Sequence, residues 1–280
     1  ANLLKEVAKI DGKFRIRFMT SHPKDLSDDI IDAMAKSDKI CCNLHLPVQA
    51  GSDKVLANMN RRYDRAKYLS VIEKLRAAMP NIGITTDIMV GFPTETEEDM
   101  KEIAVLADKI ARRYYEIPKD QRNGKCQITA SSSFFIPKPF TPFQWAPMYE
   151  NTEYIARAAI VKHAFQDQLN RKSLKYNWHD AEVTVLEGIL ARGDRKVGKL
   201  IEEVYRLGAI YDSWSDQFDN DKWMQAFENT GIDIGFYNLR ERYEDEVFPW
   251  DFIDIGVTKK FLRKEWDKAM KGEVTPNCRM

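Results

Sequence analysis

Residues Ile82 to Met100 read I-G-I-T-T-D-I-M-V-G-F-P-T-E-T-E-E-D-M. The apolar run to Val90, rich in branched residues, fits a buried strand of a parallel sheet. Gly91, Pro93 and the acidic turn behind them stop that strand and open a helix. This is a βα joint. Ligands of parallel α/β sheets sit at the carboxyl ends of the strands, so the loop from Val90 to Glu95 falls where a small molecule binds. Thr96 and Asp99 have the spacing of a capping box for the helix that follows, expected to run to about Ala111.

Upstream of this joint, Phe14 to Thr20 alternates as a strand, and Ser27 caps a helix through Ala35 with Ile30, Ile31 and Met34 facing inward. Ile40 to Val48 is a second strand, and Asp64 caps a long helix to Met79. Downstream, Arg112 to Lys125 is a polar surface connection and Gln127 to Ile136 a fourth strand. Pro137, Pro139, Pro142 and Pro147 keep the aromatic segment between them out of helix and central strand. A long helix is expected from Thr152 to Leu174, and short helices from Ala181 onward, with Asp194, Asn220 and Thr258 as caps. Strands alternating with helices predict a parallel α/β architecture over residues 1–150, followed by a mainly helical domain over 151–280.

With 44% hydrophobic and 31% charged positions, the 280-residue chain can bury one large core or two small ones. Its 43 basic and 43 acidic side chains cancel, so no whole-molecule field draws it to DNA, RNA or an anionic membrane, and any RNA contact needs a local patch. No apolar run reaches bilayer length, and Ala1 to Lys13 lacks the apolar centre of a signal peptide; a cytoplasmic location is expected. The four cysteines, Cys41, Cys42, Cys126 and Cys278, have no CxxC spacing, and reduced thiols are expected of the first three in place of a metal site. The start at Ala1 and the end at Cys278-Arg279-Met280 read as points inside something larger.

The second informative joint is L-H-L-P-V-Q-A-G-S-D, Leu44 to Asp53. Gln49 brings an amide and Ser52 a hydroxyl to a strand's carboxyl end, and Gly51 permits close backbone approach, a set suited to a ribose or amino-acid moiety. Ser52 reads equally as the cap of the next short helix. His45, between Leu44 and Leu46, is expected to be packed. Thr20, Ser21 and His22 end the first strand, but no third group stands ready to orient the imidazole, which excludes a hydrolase triad. Arg61, Arg62, Arg65 and Lys67 are expected to be solvated surface, as are His179 and Asp180. Arg192-Gly193-Asp194-Arg195 is a polar constellation with no assigned role, and Trp214, Phe218, Trp223 and Phe227 recur at helical intervals as core.

R-F-M-T-S-H-P, L-H-L-P-V-Q-A-G-S-D, N-R-R-Y and T-T-D-I-M-V-G-F-P-T-E-T-E-E-D together resemble the second half of the radical SAM barrel of tRNA methylthiotransferases, over Ala1 to about Met100. The resemblance implies later strands of a TIM-like barrel, with S-adenosylmethionine and a [4Fe-4S] cluster as cofactors and an adenine of tRNA as the site of sulfur insertion through a 5'-deoxyadenosyl radical. It implies that Gln49 and Ser52 lie near S-adenosylmethionine and that Val90, Gly91 and Pro93 lie along its adenine. From about Val90 to Met280, A-S-S-S-F-F-I-P-K-P-F, L-A-R-G-D-R-K and F-P-W-D-F-I-D-I-G-V resemble instead an uncharacterised radical SAM group with a cobalamin-binding-type domain. The chain therefore reads as chimeric and truncated. The CxxxCxxC loop that would hold the cluster is not in it, so the chain alone is expected to be inactive. A fragment of the cobalamin-type protein and a noncatalytic binding module are the alternatives.

Overall fold

A computed structural model describes residues 1–18, 22–92, 94–122, 124–273 and 275. Two compact units divide the chain: Ala1–Ser133 with Arg157–Trp178, and Phe134–Ala156 with His179–Met280.

The first unit contains α1 (Asn2–Ala8), α2 (Asp28–Ala35), β1 (Asn43–His45), α3 (Asp53–Asn58), α4 (Arg65–Ala78), β2 (Gly83–Val90), α5 (Glu97–Tyr115) and β3 (Ile128–Phe134). It also takes most of α6 (Asn151–Gln166) and all of β4 (Leu174–Trp178). The strands form one sheet in the order β1-β2-β3-β4. β1 lies parallel to β2 with His45 opposite Thr85, and β3 lies parallel to β4 from Ile128↔Leu174 to Ser132↔Trp178. The fold is α/β, as expected.

Alternation along the strands sends Leu44, Leu46, Val48, Ile88, Val90 and Ala130 into the core. They meet Tyr68, Val71, Ile72 and Leu75 of α4 and Met100, Ile103 and Ala104 of α5. Each such aliphatic side chain contributes about 1.5–3 kcal/mol on burial. The Asp64 carboxylate accepts from the Lys67 N–H at 2.7 Å and starts α4. The Thr96/Asp99 capping box is present and starts α5.

The structure corrects several boundaries. Within the expected first strand only Ile16 pairs, in a parallel bridge to Ile40, and residues 19–21 lie outside the described residues. The expected strand from Ile40 to Val48 is interrupted, with β1 covering only Asn43–His45. α5 runs to Tyr115, past the expected end at Ala111. The helix expected to reach Leu174 ends at Gln166, and Leu174–Trp178 is strand β4. A carboxylate forces that change: Asp108 accepts from the Asn170 backbone N–H and side-chain amide, both at 2.9 Å, and this pins a turn where the helix would continue. The aromatic Tyr176 and Trp178 then suit a strand.

The second unit is mainly helical, with α7 (Ala181–Arg192), α8 (Val197–Arg206), α9 (Asn220–Thr230) and α10 (Lys259–Met270). Leu186, Ile189, Val197, Leu200, Val204, Trp223 and Phe227 form its core. Thr258 caps α10, accepting from the Phe261 N–H at 3.2 Å. α9 is capped by Asp219, one residue before the expected Asn220, and ends on Gly231 at φ +65°. Asp194 accepts from the Lys196 N–H just before α8. Trp223 and Phe227 are buried and Phe218 packs against them, but Trp214 is 66% exposed, so it is not the core residue its spacing suggested. It stands in the turn before α9, where helical periodicity does not operate. No helix among the described residues is long and apolar enough to cross a membrane.

Candidate functional site

The site expected from the sequence is built from the loops that follow β1 and β2. Because these strands are parallel and adjacent, both loops leave the same end of the sheet. The first loop begins with a bulge. His45 pairs with Thr85, but Gln49 pairs with Ile88, so one extra residue is accommodated on the β1 side. The Val48 N–H, released from the ladder, donates to Thr86 Oγ1 at 2.9 Å. Gln49 resumes pairing through Gln49 N to Asp87 O at 3.0 Å and Met89 N to Gln49 O at 2.9 Å. It does so at φ +72°, a left-handed conformation that costs a non-glycine residue about 1–2 kcal/mol. Its side-chain amide makes no hydrogen bond within the described residues.

Ser52 occupies the position before α3 but does not cap it with its side chain. Its hydroxyl donates instead to Asp99 Oδ1 at 2.5 Å. Asp99 Oδ2 accepts from Lys54 Nζ at 2.9 Å, the Thr96 N–H at 3.0 Å and Thr96 Oγ1 at 2.8 Å. Burial alone would raise the Asp99 carboxyl; these hydrogen bonds outweigh it and hold its pKa at about 2. Asp99 thus clamps the β1 loop to the start of α5. Gly51 serves the same contact. A Cβ built on it would lie 2.2 Å from the Ile103 nitrogen and 2.5 Å from the Glu102 carbonyl carbon, so the close backbone approach it permits is that of α5.

The second loop turns at Gly91, φ +91°. The Gly91 N–H donates to Glu95 Oε2 at 2.6 Å, and the Glu95 N–H to Phe92 O at 2.9 Å, closing a tight loop on itself. Glu95 is 8% exposed and its Oε1 has no partner. Burial pushes its carboxyl up to about 7, against the opposing pull of the Gly91 N–H and the Arg157 charge. Thr94, at φ +76°, accepts from the Asn58 amide at 2.8 Å and so joins this loop to the end of α3. Val90 is fully buried in the sheet, and Gly91 and Phe92 after it are buried as well. Pro93 lies outside the described residues, as do Thr20, Ser21 and Cys278.

Several neighbouring residues are committed elsewhere. His45 is half-buried and reaches Thr85 Oγ1 at 3.0 Å and Asp87 Oδ2 at 3.2 Å on the polar face of β2, not a hydrophobic pocket. His22 meets the edge of the Tyr63 ring, and Tyr63 donates to Val48 O at 3.1 Å. Burial, then the Arg61 charge, lowers the His22 pKa. Arg65 pairs with Asp53 and Glu102, which removes it from phosphate duty. Asp180 caps α7, accepting from the Glu182 and Val183 N–H groups. Sequence reading missed Glu95 and Asp99 as site-forming groups. The acidic run had two signals: a carboxylate three residues after a capping threonine, and another four after the turn glycine.

A sequence profile described as Radical SAM superfamily matches residues 1–107. The tRNA-2-methylthio-N(6)-dimethylallyladenosine synthase of Clostridium botulinum is 56% identical over 110 residues, which is 39% of this chain and 24% of that protein. The synthase of the same name from Carboxydothermus hydrogenoformans is also 56% identical over 110 residues, covering 39% of this chain and 25% of its own length. That of Alkaliphilus oremlandii is 59% identical over 102 residues, 36% of this chain and 22% of its own length. The chain spans about a quarter of the length of the curated relatives it matches. The matched segment carries β1, β2, both loops of the site and the Ser52–Asp99 clamp. Residues 1–107 are therefore similar to a segment of radical SAM superfamily proteins.

Proposed function

We propose that the loops after β1 and β2 form the S-adenosylmethionine side of a radical SAM site, and that the protein to which this segment belongs modifies an adenosine of tRNA by methylthiolation in the cytoplasm. The observation that carries the reading is the pairing of two loops at one end of two adjacent parallel strands, one with Gln49 at a left-handed φ and its side-chain amide uncommitted, the other turning at Gly91. The residues suit the ligand. The uncommitted Gln49 amide can bond a ribose or amino-acid group, Ser52 keeps acceptor capacity after donating to Asp99, and the Val90–Gly91 turn is the adenine side of this proposed site. When bound, S-adenosylmethionine supplies the 5'-deoxyadenosyl group; the residues here bind and orient it.

An iron–sulfur cluster does not fit the described residues. Cys41 and Cys42 lie side by side but Cys126 is buried in a separate small core, and no group of three or more His, Cys, Asp or Glu side chains converges. No step is assigned to a cluster within this chain.

Equilibrium dialysis with labelled S-adenosylmethionine tests the binding claim. Saturable binding with a Kd on the order of 0.1–1 mM, weakened by Gln49→Ala with unchanged circular dichroism, is expected. Absence of binding at several times that concentration refutes it. The tRNA claim is tested separately, by nucleoside mass spectrometry of tRNA from cells with and without the gene; an unchanged methylthioadenosine content refutes it.

A further inference from the structure

We infer that the second unit carries a binding site for a small organic ammonium ion with an apolar body. A cleft of about 240 Å³ opens between the start of α6, α7 and α9. Val185, Leu186, Met224, Phe227, Ile234 and Leu239 give it an apolar lining. Glu150, Glu182, Asn151 and Asn220 stand among the lining groups, and no lysine, arginine or histidine does. A contiguous groove on the other side of Met224 and Phe227 adds Asp221, Glu228 and Asp233, again without a basic residue.

Three observations fix the chemistry of the ligand. The apolar lining accepts a hydrocarbon or aromatic body. The carboxylates of Glu150, Glu182, Asp221 and Glu228 have no cationic partner among the described residues, and in a chain of zero net charge such an uncompensated cluster next to a concavity attracts a cation. Asn151 lines the cleft, and its Oδ1 is a buried acceptor with no hydrogen-bond partner. An alcohol would meet the acceptor but not the charge. A carboxylate would be repelled by both. The site owes nothing to the loops after β1 and β2, so it stands or falls apart from the reading of those loops.

The probe is hexylammonium, with hexanol and hexanoate as controls, titrated into the ¹⁵N-labelled 280-residue chain. The proposal expects saturable shifts of the Val185, Leu186, Met224 and Phe227 amides, with a Kd on the order of 1 mM for a ligand of this size. Hexanol should bind roughly tenfold more weakly and hexanoate not at all. The double substitution Glu150→Gln with Glu182→Gln lies on exposed side chains and should weaken hexylammonium about tenfold while leaving hexanol unchanged. Met224→Trp, at a half-exposed position of the lining, should abolish binding of both. Equal affinity for hexanoate, an unchanged affinity in the double variant, or no shifts at 20-fold higher concentration (about 20 mM) would each overturn the proposal.

Discussion

Ser52 donates its hydroxyl hydrogen to Asp99 at 2.5 Å, joining the loop after β1 to the first turn of α5 across 47 residues of chain. This bond explains why a serine stands before α3 without capping it, and why the carboxylate of a capping box is buried. Loss of the carboxylate removes four hydrogen bonds, one of them charge-assisted by Lys54. Asp99→Ala should cost about 2–4 kcal/mol, read by urea denaturation, and Ser52→Ala about 1–2 kcal/mol.

The same carboxylate sets an acid limit. Its pKa in the fold, about 2, lies below the ordinary 3.8, so the folded state binds this proton less readily than the unfolded chain. Its stabilisation is complete above about pH 4 and is lost as pH falls through 2. Asp99→Asn should flatten the stability profile between those values, and a profile unchanged from wild type would contradict the clamp.

Glu95 works in the opposite direction. Its carboxyl titrates near 7 in the fold and 4.5 in the free state, so the folded chain holds more protons between those values, and stability falls as pH rises through that window. Glu95→Gln keeps an acceptor for the Gly91 N–H and removes the buried charge. The variant should be more stable than wild type at pH 8 by up to about 3 kcal/mol and indistinguishable near pH 4. Thermal melts at the two pH values check this.

Gly51→Ala should destabilise the first unit by about 3 kcal/mol or more, because the added carbon meets backbone atoms of Glu102 and Ile103, which cannot rotate away. By contrast Gly198→Ala, with nothing near its Cβ, should be neutral or slightly stabilising through helix propensity. A similar cost at both positions would show that the Gly51 contact is not a tight one.

How much of this could be read from the residues depends on the range of each interaction. Local signals held: Asp64 and Thr258 cap their helices, and Thr96 with Asp99 forms a capping box, because each bond closes within three residues. The strand from Ile82 to Val90 and the turn at Gly91 were legible for the same reason. Long-range commitments were not. The Asp108–Asn170 bonds that end α6 early span 62 residues, so the sequence read as continuous helix into what is β4. Gly51 was read correctly as a point of close approach, but what approaches is a helix 50 residues on. The strain at Gln49 comes from a bulge, and a bulge depends on the register with a second strand. Glu95 looked like one more acid in an acidic turn, and only burial separates it from Glu97 and Glu98.

The central claim is that the loops at Gln49–Ser52 and Val90–Gly91 together bind S-adenosylmethionine. The most direct measurement is amide chemical-shift mapping of the ¹⁵N-labelled chain during titration with S-adenosylmethionine. The account predicts saturable shifts at Gln49, Gly51, Ser52, Gly91 and Phe92, with α8 and α10 unmoved. No shifts at these five amides, or shifts confined to the second unit, would contradict it.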